Sequence, residues 1–199
     1  MTNEAFYGEA LTDLEKIHAT FEAFAASMQH LDCTCDRCPV EHYKIRIKSA
    51  DSMLEKLQRR GFPQTVEAAL AENHDAVGLR IVCTFLSGVY EVAQCIREQF
   101  EVIEEKDYIR SPKPNGYRSL HIIVRFAMPA REIFAEIQLR TIAMDCWASL
   151  EHLLKYKKEI QSHALIAGEL KRCAEELASA DLRMQTIEEL IAGTKEGAV

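Results

Sequence analysis

Asp107-Tyr-Ile-Arg-Ser-Pro-Lys-Pro-Asn-Gly-Tyr-Arg-Ser-Leu-His121 is a cationic, turn-rich loop that runs directly into an alternating strand. In strand spacing Tyr117, Ser119 and His121 share one face, while Leu120, Ile122 and Val124 share the other. An aromatic ring, a hydroxyl and an imidazole in line behind Lys113 and Arg118 offer a stacking platform, polar handles and charges for phosphate. The segment points to a strand built into a nucleotide site.

Outward from it, Phe100 to Glu104 reads as a strand before the loop, and Ile133 to Leu139 as a strand beyond a turn at Pro129. Leu79 to Phe85 is a strongly apolar strand, followed by a helix from about Gly88 to Gln99. Leu14, Ile17, Phe21 and Phe24 recur at helical spacing and predict an amphipathic helix from Glu9 to His30. A second helix is expected from Ser49 to Arg60, stopped by Gly61 and Pro63, and a shorter one near Thr65 to Asn73. From Thr141 the pattern turns helical, first to about Lys158 and then to Ile191. Strands interleaved with helices, with a hairpin-like pair among them, predict an α+β fold, a mixed β-sheet flanked by helices.

A chain of 199 residues suits one domain with helical extensions. Its net charge of -7 argues against a general nucleic-acid binder, which needs a broad basic surface. No apolar run approaches the roughly 20 residues of a membrane helix, and Met-Thr-Asn-Glu at the start lacks the features of a signal peptide, so a cytoplasmic location is expected. In that compartment seven cysteines read as thiols or metal ligands rather than disulfides. Cys83, Cys95, Cys146 and Cys173 sit singly in apolar periodic segments, as small buried hydrophobes would. Cys33-x-Cys35-x-x-Cys38, with His30 and His42 nearby, admits a zinc site, a redox-sensitive loop or simply reduced thiols.

Several clusters carry chemistry. Lys48, Ser52, Lys56 and Arg59 fall along one helical face with Met53, Leu54 and Leu57 opposite, so the row is either a polyphosphate clamp or a solvated basic face. Asp75 precedes the strand that carries Arg80, with Gly78 between them. Glu136, Gln138 and Arg140 alternate with Ile137 and Leu139 and share the polar face of another strand. Asp75 and Glu136 are the number of carboxylates expected for Mg²⁺, which takes one or two beside waters and phosphate; salt bridges to Arg80 and Arg140 are the alternative. On the next helix Ala143, Trp147, Leu150 and Leu154 form an apolar stripe, with Asp145, Ser149, His152 and Tyr156 on the polar side. Asp145 could accept hydrogen bonds from a guanine edge or stand as a surface acid.

Arg46-x-Lys48-x-x-x-Ser52, Asp75-x-x-Gly78-x-Arg80, the Lys113 to His121 segment, and Glu136-Ile-Gln-Leu-Arg-Thr141 with Met-Asp-x-Trp-Ala148 resemble, in this order, the synthetase domain of RelA/SpoT-type alarmone synthetases. With no hydrolase domain before it and no regulatory domain after it, the chain looks like a small single-domain member. The resemblance implies a nucleotidyltransferase-like domain over 40–160, a helix and Cys-rich loop over 1–39 and a helical extension over 161–199. It implies transfer of the pyrophosphoryl group of ATP to the 3′-hydroxyl of GDP or GTP. Arg46 and Arg80 would then sandwich adenine, and Lys48, Ser52, Lys56 and Arg59 would hold the ATP phosphates. Asp75 and Glu136 would hold Mg²⁺, Glu136 also serving as base. Tyr117 would stack on guanine, Asp145 would read its edge, and Lys113, His121, Gln138 and Arg140 would line the acceptor pocket.

Two rival functions use the same domain: a toxin acting on tRNA 3′ ends or making adenosine alarmones, and a nucleotide-binding regulator without catalysis. The acidic balance disfavours tRNA, and the presence of both carboxylates disfavours the regulator. Ile166, Leu170, Cys173, Leu177, Ala180, Met184, Ile187 and Ile191 alternate at intervals of four and three, a seam that demands a helical partner. That partner is either the chain's own N-terminal helix or a second copy, and the family resemblance implies a homo-oligomer, dimer or tetramer, formed through terminal helices.

Overall fold

A computed structural model of the chain describes residues 1–30, 39–155 and 163–196. Five strands form one mixed sheet: β1 (Val40–Ile47), β2 (Val77–Cys83), β3 (Glu101–Asp107), β4 (Leu120–Met128) and β5 (Arg131–Thr141), in the spatial order β1-β2-β5-β4-β3. β2 and β5 run parallel, and the other neighbours are antiparallel. The helices are α1 (Asn3–Tyr7), α2 (Ala10–His30), α3 (Ala50–Arg60), α4 (Val66–Glu72), α5 (Leu86–Gln99), α6 (Ile142–Lys155) and α7 (His163–Glu196). This is the expected α+β architecture, a mixed sheet flanked by helices.

The strand period of two divides the chemistry between the faces of the sheet. Leu79 and Ile81 of β2, Ile137 and Leu139 of β5, and Leu120, Ile122 and Val124 of β4 are all buried, and the core they share takes in Leu14, Ile17, Phe21 and Phe24 of α2 and Val89, Val92 and Ile96 of α5. Phe21 meets Phe100 and Phe126 edge-on, with centroids 5.8 and 5.6 Å apart; such contacts add about 0.5–1.5 kcal/mol each beyond the area they bury. On the opposite face the register aligns Lys44, Arg80, Gln138 and His121 from four adjacent strands. A polar row across the middle of a sheet must face either solvent or a ligand.

Local signals set the helix ends. Ser49 caps α3 by accepting from Ser52 N, and Gly61 ends it at φ 74°, the left-handed conformation that favours glycine. Thr65 caps α4 through Ala68 N. The buried Tyr7 donates to Lys48 O at 2.9 Å and Asn3 accepts from Ala50 N at 2.8 Å, so α1 pins the junction of β1 and α3.

Several expectations need correction. β1 was not expected: its burial alternates weakly and most of its side chains are charged or polar. β4 begins at Leu120, so Tyr117 to Ser119 belong to the loop, and Ser119 is buried, donating to Leu139 O at 3.1 Å rather than sharing a face with Tyr117. Cys83 is buried and Cys95 partly so, but Cys146 and Cys173 are exposed. Cys33, Cys35 and Cys38, the side chain of His30, and Tyr156 lie outside the described residues.

The α6 stripe is buried only at Trp147; Ala143 is half-buried and Leu150 and Leu154 are exposed, while Met144 beside the stripe is buried. The α7 seam also divides. Leu170 and Leu177 are half-buried, Ala174 and Gln185 between and beyond them are buried, and Met184, Ile187 and Ile191 stand exposed. Among the described helices α7 packs chiefly against α6 and α5.

Candidate active site

The polar face of β1, β2 and β5 forms the floor of a cleft of about 550 Å³, walled by α6. Of the expected residues, Arg46, Asp75, Arg80, Tyr117, Glu136, Gln138 and Arg140 line it. Five further expected residues reach it through those side chains: Lys48 and Lys56 through Asp75, Asp145 through Arg80 and Arg140, His121 through Glu136, and Lys113 through Tyr117. Ser52 and Arg59 do not line it; both are exposed on α3, where Ser52 accepts a hydrogen bond from Ser49 at 2.9 Å.

Asp75 lies in the turn before β2, and its two oxygens face Lys48 and Lys56, each at 2.8 Å. Burial pushes this carboxyl up, but the two lysines outweigh it and hold it below the usual carboxylate range. Oδ2 accepts a hydrogen bond from Lys48, and Oδ1 is ion-paired with Lys56. The alternative salt bridge to Arg80 does not form; the basic row meets Asp75 instead.

Glu136 is likewise not paired with Arg140. Its Oε1 lies 2.9 Å from His121 Nδ1 and its Oε2 accepts from Gln138 Nε2 at 2.7 Å. Burial raises this carboxyl, but His121 and Gln138 overcome it and leave it below its ordinary value. Both carboxylates are therefore ionised at neutral pH. They are also close enough for Asp75 to act on Glu136 as a neighbouring negative charge.

A continuous network extends from Glu136. Arg140, 4 % exposed, donates to Gln138 Oε1 at 3.0 Å, to Tyr117 Oη at 2.8 Å and to Asp145 Oδ1 at 2.8 Å. Tyr117 Oη accepts from Arg140 and lies 2.7 Å from His121 Nε2, and because the ionised Glu136 can only accept, His121 Nδ1–H donates to it. Asp145 Oδ1 also lies 3.3 Å from Arg80 Nη1, so one carboxylate oxygen joins the guanidinium groups of β2 and β5. Arg80 Nε and Arg140 Nε are buried without a hydrogen-bond partner among the described residues.

The loop that presents Tyr117 is built from its own turn chemistry. Asp107 Oδ1 accepts from Ile109 N and Arg110 N, Asn115 Oδ1 accepts from Tyr117 N, and Gly116 adopts φ 92°. Lys113 Nζ sits 4.4 Å from the Tyr108 ring centre and 4.8 Å from that of Tyr117. Tyr108 was not singled out from the sequence. Nor were Lys44, Glu151 and Leu153, which line the cleft; Lys44 and Arg46 stand two apart on β1, so the signal was there once that segment is read as a strand. Glu151 accepts from Asn115 Nδ2 at 3.0 Å, tying α6 to the loop, and nothing local to Glu151 announces that contact.

Comparison with known proteins bears on this cleft. A family described as "Region found in RelA / SpoT proteins" matches residues 45–161. The chain is 43 % identical over 143 residues to the GTP pyrophosphokinase YwaC of Bacillus subtilis, covering 69 % of this chain and 68 % of that one. It is 33 % identical over 159 residues to the GTP pyrophosphokinase YjbM of the same organism, covering 76 % and 74 %. Among solved structures it is similar to small alarmone synthetase 2 of B. subtilis, at 37 % identity and a TM-score of 0.76, over 92 % of this chain and 98 % of that one. It is also similar to small alarmone synthetase 1 of B. subtilis bound to its product pppGpp, at 29 % identity and a TM-score of 0.78, over 95 % and 97 %.

Proposed function

The chain belongs to the RelA/SpoT family, and we infer from that membership that it is a GTP pyrophosphokinase making ppGpp or pppGpp from ATP and GDP or GTP. The observation that carries the reading is convergence: motifs from β1, the Asp75 turn, β2, the Tyr117 loop, β5 and α6 close on one cleft with two ionised carboxylates beside the guanidinium groups of Arg46, Arg80 and Arg140. A metal-assisted transfer between two nucleotides needs that set of groups.

The assignments proposed within the cleft follow the elements. Arg46 and Arg80 project from β1 and β2 on the same face, placed to flank a flat base on the donor side. Lys48 and Lys56, gathered by Asp75, are charged and positioned to meet the donor phosphates, with Ser52 and Arg59 further out along α3. Asp75 and Glu136 suit Mg²⁺, because that ion takes only one or two carboxylates beside water and phosphate, and both carboxylates are ionised in the cleft. Bound there, the ion would neutralise charge on the transferring phosphates.

On the acceptor side Tyr117 offers a ring held from behind by its hydroxyl, with Lys113 and Arg140 near it for the phosphates of GDP or GTP. Glu136 accepts the proton of the 3′-hydroxyl as the new bond from O3′ to the β-phosphorus forms and the bond from that phosphorus to the α,β-bridging oxygen breaks, leaving AMP. His121 and Gln138 hold Glu136 in place for that proton. Asp145 binds both arginines through Oδ1, which leaves Oδ2 for the edge of guanine. The exposed apolar side chains of α6 and α7 fit a homo-oligomer formed through terminal helices.

The test is an acceptor panel. The protein is incubated with ATP and Mg²⁺ and, separately, GDP, GTP, ADP or tRNA, and the products are identified by mass. Guanosine 3′-pyrophosphates are expected. A product from ADP or tRNA alone would place the chain with toxins, and no product with any acceptor would make it a binding protein.

A further inference from the structure

None of the cleft-lining residues belongs to α7, yet its inner face holds three pieces of the fold behind the cleft. A Cβ added to Gly116 would stand 2.6 Å from Ala174 Cβ and 3.4 Å from Lys171 Cα, so the loop backbone just before Tyr117 rests directly on α7. Trp147 of α6 donates its indole N–H to Leu170 O at 2.8 Å. Thr141, where β5 passes into α6, accepts from Met144 N and donates to Asp181. Four residues along α7, Gln185 Oε1 accepts from Ser87 N at 3.0 Å and so satisfies the first turn of α5, whose N-cap Phe85 has no side-chain oxygen to do so.

These contacts form a pattern. β2 and β5 end side by side at the paired residues Cys83 and Thr141, and α5 and α6 begin just beyond them. Asp181 and Gln185, one helical turn apart on α7, close the starts of both helices, while Ala174 seats the loop. The elements so held carry Tyr117, Arg140 and Asp145.

We propose that α7 is the rear wall of the acceptor subsite, and that Ala174 and Asp181 are positioning residues that set where Tyr117 and the first turn of α6 stand. The inference rests on the reading of the cleft as a pyrophosphokinase site with the acceptor on the Tyr117 side. A displacement of about 1 Å at a stacking and aligning surface can cost on the order of 10²-fold in rate, whereas the donor-side lysines, just beyond β1 and on α3, are held by Asp75.

Steady-state kinetics on the full chain test it, with the emission of Trp147, the sole tryptophan, reporting how α7 is seated. Ala174→Leu drives a branched side chain against Gly116, and Ala174→Ser keeps the size nearly unchanged. The leucine variant is expected to raise KM for GDP or GTP by about tenfold or more and to alter Trp147 emission, with KM for ATP within about twofold and the serine variant close to wild type. Should Ala174→Leu not fold, Asp181→Ala removes the acceptor for Thr141 without added bulk, and Asp181→Asn restores one; acceptor KM should rise in the first and recover in the second. Equal losses for both nucleotides, or an unchanged acceptor KM while Trp147 emission shifts, would overturn the proposal. A wild-type protein that makes no guanosine product would overturn the pyrophosphokinase reading and this inference with it.

Discussion

Glu136 tests the site most simply among single residues. Glu136→Gln keeps the shape and much of the hydrogen bonding to His121 and Gln138 but removes the charge, so turnover should fall by about 10²-fold or more with the thermal transition little changed. Activity within about threefold of wild type would remove Glu136 from the proton transfer. Asp145 is more instructive because the structure alters what the sequence suggests. A guanine reader should affect only the acceptor, but Asp145 Oδ1 holds Arg80 on the donor side as well as Arg140. Asp145→Ala is therefore expected to raise KM for ATP and for GDP or GTP together, by roughly tenfold each, since a charge-assisted contact is worth about 1.5–3 kcal/mol. A loss confined to the guanine nucleotide, measured by varying each substrate at saturation of the other, would place Asp145 on the base edge alone.

Among the elements, those with strong periodicity were legible and those whose pattern is set by distant partners were not. The spacing of Leu14, Ile17, Phe21 and Phe24 reads directly as α2, and Ser49 with Gly61 brackets α3. β1 escaped notice because an edge strand over a ligand cleft carries charge where a buried strand carries valine or isoleucine. Site membership was legible for Arg80, Glu136, Gln138 and Arg140, which alternation puts on one face. Their partners were not: pairing Asp75 with Lys48 and Lys56 depends on how the β1–α3 junction and α3 meet the turn before β2. Asp181 is the sharpest case: nothing on α7 marks it, yet it meets Thr141 across 40 residues.

Burial raises the Asp181 carboxyl above its ordinary 3.8, with the Thr141 bond opposing. Asp181 and Arg118 line one small cavity between α6 and α7, and the Arg118 guanidinium donates to Ile109 O. An acid raised by folding contributes stability that is complete below its unfolded value and is lost as pH rises through its folded one. Asp181→Asn, which cannot ionise, should accordingly melt like wild type near or below pH 3.8 and higher than wild type as pH rises toward neutrality. Parallel melting curves across that range would show that the carboxylate is not strained by its surroundings.

The whole molecule places α7 between two surfaces. Its inner face seats the Tyr117 loop, while Leu182, Met184, Ile187, Leu190 and Ile191 of α7 remain exposed, and α6 separately exposes Leu150, Leu153 and Leu154. Apolar side chains in that number on terminal helices fit association with further copies. Ile187→Glu with Ile191→Glu should lower the particle mass in light scattering and leave the fold intact, because both side chains are about half exposed in the chain itself. An unchanged mass would free α7's outer face from that role.

The central claim, that the cleft moves a pyrophosphoryl group rather than a single phosphate, is tested most directly by the adenine nucleotide left behind. With ATP, Mg²⁺ and GDP, the account predicts AMP accumulating in step with a guanosine carrying two added phosphates. ADP accumulating with a guanosine that gained only one would contradict it.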